Sequence, residues 1–163
     1  MGRWDTGVFD SDDALDWIQE LEEQGIESGV KRTLRSLQEN SGSGYLEMPD
    51  CEISVALATT VAVLTGMPVP DGMPEELATL INASGYKPEA NVIKESLRFL
   101  TFAHSENAEI MGEGVWGSEE DKLEWFKASE TAQIHLQQQF IQNGPVDQQG
   151  TNKARPRRGC LWF

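Results

Sequence analysis

Residues 49–66 read PDCEISVALATTVAVLTG, and whether this run is a strand or a helix decides the fold class. Its many β-branched residues favour a strand, but the run from Ile53 to Gly66 outlasts a typical strand. Pro49 suits the first turn of a helix, where its missing N–H costs nothing, and Gly66 suits the stop. The stretch therefore predicts a helix that is apolar or small on every side, which makes it the central and most buried element.

Apolar spacing near 3.6 residues dominates on both sides of this helix, and strand-like alternation is nearly absent. A first helix is predicted from Ser11 to Gln24, with Ala14, Trp17, Ile18 and Leu21 on one stripe and Gly25 as its stop. A second follows with Ser28 as N-cap and Val30, Leu34 and Leu37 inward, ending in a flexible SGSG loop at 41–44. Past the turn-rich MPVPDGMP, Pro74 opens a short helix to Asn82. Another spans Pro88 to His104, with Val92, Ile93, Ser96, Leu97 and Leu100 on its face, and continues through SENAEIM. Ser118 with Asp121 resembles an N-terminal cap for a last helix carrying Leu123, Trp125, Phe126, Ile134, Leu136 and Phe140, which stops at Asn143-Gly144-Pro145. The expectation is an all-α fold, a compact bundle of about six helices with an ordered N-terminal segment, in which Trp4 and Phe9 pack onto the helices. Residues 1–144 form an acidic helical domain. Residues 145–163 lack helical period and are rich in Gln, Gly, Pro and basic residues, so they read as a disordered basic tail ending in CLWF.

The net charge of −14 is unevenly placed. Lys153, Arg155, Arg157 and Arg158 give residues 151–163 a charge of +4, leaving −18 on the remainder. A body this acidic repels phosphates and anionic lipid, so neither nucleic acid nor membrane is an expected partner, and a basic protein is. No stretch is apolar enough to span a bilayer and no signal-peptide order opens the chain, so a cytoplasmic location is expected. Cys51 and Cys160 lie too far apart in sequence to suggest a disulfide framework or a zinc pattern.

The carboxylates Asp10, Asp12, Asp13 and Asp16 are hard oxygen ligands. A calcium loop opening at Asp10 requires glycine sixth and glutamate twelfth, where Leu15 and Leu21 stand. Acids in a first helical turn instead satisfy free N–H groups and the positive helix end. His104 and His135 have no second histidine at metal spacing, and Ser105 points about 100° away from His104 on a helix. GEGVWG at 112–117 has the wrong offsets for a phosphate loop. The pairs Glu22-Glu23 and Glu119-Glu120 diverge on a helix and cannot act as acid and base together. No catalytic, cofactor-binding or metal-binding residue is assigned. MGRWDT and CLWF only loosely fit myristoylation and prenylation templates, because Trp4-Asp5 and Trp162 are ill suited to each.

The opening MGRWDTGVFDSDDALDW resembles the N-terminal signature of the bacterial family called domain of unknown function 4259. Gly2, Trp4, Gly7, Phe9, Asp10, Asp12, Ala14, Asp16 and Trp17 carry the resemblance. It continues through YLEMPDCEISVALATTVAVLTG, SENAEIM and LEWFKA, covering roughly residues 1–142. Asp5 and Asn107-Ala108 depart from the family pattern. The resemblance implies the fold and brings no established activity.

The function expected from these features is a non-enzymatic acidic binding protein, such as one of the immunity or antitoxin kind, that covers a basic partner surface through Asp10, Asp12, Asp13, Asp16, Glu106 and Glu109. Two alternatives stand beside it. One places a divalent ion on the N-terminal acids together with Glu106 or Glu109. The other makes the body a scaffold for its tail, with Arg157, Arg158, Cys160, Trp162 and Phe163 as a docking or modification peptide.

Overall fold

The structure, a computed structural model, describes residues 5–143. The expectations for Gly2, for Trp4 and for the tail with Arg157, Arg158, Cys160, Trp162 and Phe163 lie outside the described residues. Within them the chain is all-α: six helices, α1 (Asp12–Gln24), α2 (Ile26–Asn40), α3 (Met48–Leu64), α4 (Glu75–Ser84), α5 (Ala90–Ala103) and α6 (Glu119–Asn143).

Helix α3 is the axis. From Ser54 to Ala62 every side chain is buried, as the apolar run predicts. Its hydroxyls are accommodated by bonding back one turn: Ser54 to the Asp50 carbonyl, Thr59 to Val55 and Thr60 to Ala56. Each spends its donor locally, so the helix can be enclosed without orphaned hydroxyls.

The other helices are placed by what they meet along α3. Leu46, just before α3, pairs with Ala108, just after α5, through Leu46 N–H to the Asn107 carbonyl (3.0 Å) and Glu109 N–H to the Leu46 carbonyl (2.9 Å). The start of α3 thus lies at the end of α5, and the two run antiparallel. Helix α6 starts at that same end, with Lys122 Nζ donating to the Met111 carbonyl, and reaches the far end where His135 Nε2 meets Thr65 Oγ1 at 3.0 Å. It therefore runs parallel to α3. Helix α1 begins beside the start of α3 and covers it with Ala14, Trp17, Ile18 and Leu21; Val8 and Phe9 of the preceding segment are buried too.

Several boundaries differ from expectation for identifiable reasons. Helix α2 starts at Ile26, not after Ser28, because Gly25 at φ 83° and ψ 150° both stops α1 and opens α2, allowing Ile26 to be buried. That backbone region is essentially reserved to glycine. SGSG is a 3-10 turn at Ser41–Ser43 closed by Gly44 at φ 79°, rather than a loose loop. Pro74 is the N-cap of α4 rather than part of its first turn, and α4 reaches Ser84. Helix α5 does not continue into SENAEIM: it ends at His104, and the chain turns back to pair with Leu46 before a 3-10 turn at Glu109–Met111.

Helix α6 is capped as expected, Ser118 Oγ accepting the Asp121 N–H at 3.1 Å. Its buried stripe is Trp125, Ser129, Ala132 and Leu136. Leu123 and Ile134 are about half exposed, and Phe140 is also exposed. Small residues face inward because one of them meets a ring from α5: Ser129 Oγ lies 2.7 Å from His104 Nε2.

Candidate acidic binding face

Six of the thirteen residues of α1 are acidic and none is basic. Asp10 sits in the turn before it, where its Oδ2 accepts the Gly7 N–H at 2.8 Å. A Cβ on residue 7 would run into that carboxylate, which explains the glycine. Ser11 caps the helix, its Oγ accepting the Ala14 N–H at 3.2 Å. Asp12 and Asp13 occupy the first turn, where the helix dipole favours them. Asp16, Glu20 and Glu23 continue along the exposed side, forming a ridge one to two turns apart.

This ridge has neighbours that the sequence does not announce. Asp13 and Asp50 are held above the ordinary carboxylate range. For Asp13 the causes are burial, then Asp16 and Asp12. For Asp50 burial comes first, the Asn40 amide opposes it, and Glu47 and Asp13 add to it. The starts of α1 and α3 therefore form one mutually repelling acidic group. Asp50 also lines a pocket of about 200 Å³ with Trp17, Glu20, Arg32, Thr33 and Ser36, in which Trp17 Nε1 donates to Thr33 Oγ1 at 2.8 Å.

The two remaining predicted acids behave differently. Glu106 is exposed in the turn after α5. Glu109 is engaged within the fold: its Oε2 accepts the Met48 N–H at 2.6 Å, acting as a remote cap for α3, whose own N-cap Glu47 makes no side-chain bond. Among the described residues no group of three or more His, Cys, Asp or Glu side chains is arranged to hold a metal ion. The ion pairs resolved there use Lys31 with Glu27 and Glu89, and Arg98 with Glu95, leaving the α1 ridge outside them.

At the far end of the bundle, Glu22 of α1 and Glu75 and Glu76 of α4 border an open groove of about 480 Å³ that is also lined by Thr79, Leu80 and Ala83. A second depression shares Leu80 and Ala83 and extends it to Ile26 and Tyr86. The acidic face thus runs the length of α1 and ends in an open groove in which Leu80 and Ala83 are the apolar lining.

The half-buried His104 and the buried Cys51 both titrate away from their ordinary values. His104 stacks on Phe126 (4.2 Å) and meets Trp125 edge-on (5.5 Å). Ser129 donates to the Phe126 carbonyl at 3.0 Å, so its oxygen is left to accept from His104 Nε2–H. Although this is a serine–histidine pair, Ser129 is wholly buried, so its hydroxyl is out of a substrate's reach. Burial lowers the imidazole to about 4, with the Gln133 side chain opposing. Since the unfolded ring titrates near 6.5, this contribution is complete above that value and is lost as pH falls towards 4. Discounting for the ring's partial exposure, urea unfolding at pH 7 and pH 4 should show wild type losing about 2 kcal/mol relative to His104→Leu in the same buffers. Parallel curves would remove His104 as the cause. Cys51 is fully buried, its thiol donates to the Leu46 carbonyl, and burial pushes it up to about 12. It is unreactive at neutral pH.

No helix among the described residues is long and apolar enough to cross a membrane. No curated protein and no solved structure matches the chain significantly. A family-level comparison matches residues 2–128 to Domain of unknown function (DUF4259), on the stretch that includes the Gly7–Asp10 turn, the α1 ridge and the buried α3. The chain belongs to this family.

Proposed function

We propose that this protein is a non-enzymatic binding protein that captures a basic protein partner on the acidic face of α1, in the manner of an immunity or antitoxin-like protein in the bacterial cytoplasm. The observation that supports this is that α1 is charged against its own stability. Asp12, Asp16 and Glu20 repel at successive i, i+4 positions, costing about 0.2–0.5 kcal/mol per pair. Glu22 and Glu23 lie in the last turn, at the negative end of the helix, each at a cost of about 0.3–1 kcal/mol. After burial, which is the main cause, repulsion from neighbouring carboxylates adds to the raised Asp13 (Asp16 and Asp12) and to the raised Asp50 (Glu47 and Asp13). A cationic surface seated along the ridge relieves every one of these terms, and a surplus of negative charge steers such a partner to it.

The test is the variant Asp16→Asn/Glu20→Gln/Glu23→Gln. It should fold with equal or greater stability than wild type. A basic protein captured from the native host at about 50 mM salt and then purified should bind this variant at least about tenfold more weakly, or about 1.4 kcal/mol. Affinity for wild type should also fall with added salt as screening shortens. Equal binding to both proteins, or binding indifferent to salt, would sink the proposal.

A further inference from the structure

The groove at the far end of the bundle has the chemistry of a peptide site, and the chain itself carries a matching peptide. It is bordered by the acids Glu22, Glu75 and Glu76, with the half-buried Leu80 and the exposed Thr79 and Ala83 between them. None of the three rim acids takes part in the ion pairs resolved among the described residues. Residues 153–163 read KARPRRGCLWF, four cations followed by a bulky apolar cluster. We infer that this segment docks in cis in the α1–α4 groove, its arginines against Glu22, Glu75 and Glu76 and its Leu161-Trp162-Phe163 cluster over Leu80 and Ala83.

The tether favours this groove. Helix α6 passes the far end of α3 at His135, bonded to Thr65, and continues eight residues, about 12 Å, to Asn143. The groove lies at that same end, because Glu22 is in the last turn of α1 and Glu75 opens α4. Nine residues lie between Asn143 and Lys153, which makes ten Cα–Cα steps. Extended, they reach about 33–36 Å, and a coil-like path covers about 17–19 Å, enough to cross the end of a domain of this size. Such a tether presents its peptide at an effective concentration in the millimolar range, so even a weak groove is filled. The competing apolar surface is Leu123, Ile134 and Ile141 on the outer side of α6, where Leu123 borders a depression with Met111 and Phe126; it offers no carboxylate rim comparable to Glu22, Glu75 and Glu76 for the arginines.

This docking rests on the acidic-face reading extended to the end of α1, and it makes the tail an internal competitor for a basic partner. Its test needs no partner, so the two can fail separately. Cys51 is buried with its thiol raised, which leaves Cys160 as the residue to carry a nitroxide spin label on the full-length chain. At low salt, paramagnetic broadening should concentrate on the amides of Glu22, Thr79, Leu80 and Ala83. It should disappear at about 1 M salt, where the Debye length is about 3 Å. It should also disappear in Glu22→Gln/Glu75→Gln/Glu76→Gln and, with the helices untouched, in Arg157→Ser/Arg158→Ser. Broadening centred on Leu123, Ile134 and Ile141, or spread evenly, overturns the inference. So does broadening that survives both charge variants, or that appears equally in an isotope-labelled chain mixed with spin-labelled copies, which assigns the groove to a second molecule.

Discussion

Trp125→Ala is expected to lower stability by about 3–5 kcal/mol, the usual cost of deleting a wholly buried large aromatic side chain. Trp125 is 0% exposed and is the largest fully buried side chain among the described residues. Its ring packs 5.5 Å from Trp116 and 5.5 Å from His104, so the cavity opens at the junction of α5, α6 and the segment carrying Trp116. For a domain near this size each kcal/mol moves the melting temperature by about 2–4 °C, which puts the expected drop on the order of 10 °C. A second effect follows from the same cavity. Water admitted beside His104 removes the burial that holds its imidazole near 4, so the variant should also lose less stability between pH 7 and pH 4 than wild type does. Thermal and urea unfolding at both pH values measure the two effects together. A cost below about 1 kcal/mol would mean that this ring is not part of the packed interior.

What could be read from the sequence was local. Helix α3 was legible because Pro49 and Gly66 bracket an apolar run too long for a strand, and α1 because Ser11, the apolar stripe and Gly25 agree with one another. The inward side of α6 was not legible, because its large apolar residues are scattered around the helix and two of them, Leu123 and Ile134, are about half exposed. The structure instead places Ser129 and Ala132 inward, where α6 lies close to its neighbours and Ser129 meets His104. The supposed extension of α5 failed because the Leu46–Ala108 pairing, which turns the chain, joins residues far apart in sequence. The candidate face divides in the same way. The acids of α1 are contiguous and visible, but the influence of Asp13 on Asp50 and the meeting of Glu22 with Glu75 and Glu76 arise only in three dimensions. Glu109 looked like another surface acid because nothing near it in sequence reveals that it caps a helix starting 61 residues earlier.

Glu52 is the remaining case, and its removal should rival that of Trp125. Apart from Asp50 in the first turn it is the one charge of α3, a signal present in the sequence, and it is 1% exposed. A carboxylate in such a place is tolerated only when it is partnered, and Glu52 is not without a partner. Its charge is also felt locally, adding to the burial that raises Cys51. Glu52→Ala therefore removes a buried, partnered charge from the central helix and leaves both a cavity and an uncompensated partner behind, at an expected cost of about 3–5 kcal/mol. Glu52→Gln keeps the volume and some hydrogen-bonding capacity, so its cost should be smaller. The order wild type, Gln, Ala in urea midpoints tests this directly. If Ala proves as stable as wild type, the carboxyl plays no part in holding α3; if Gln is as damaging as Ala, the negative charge itself, rather than the space it fills, is what the core requires.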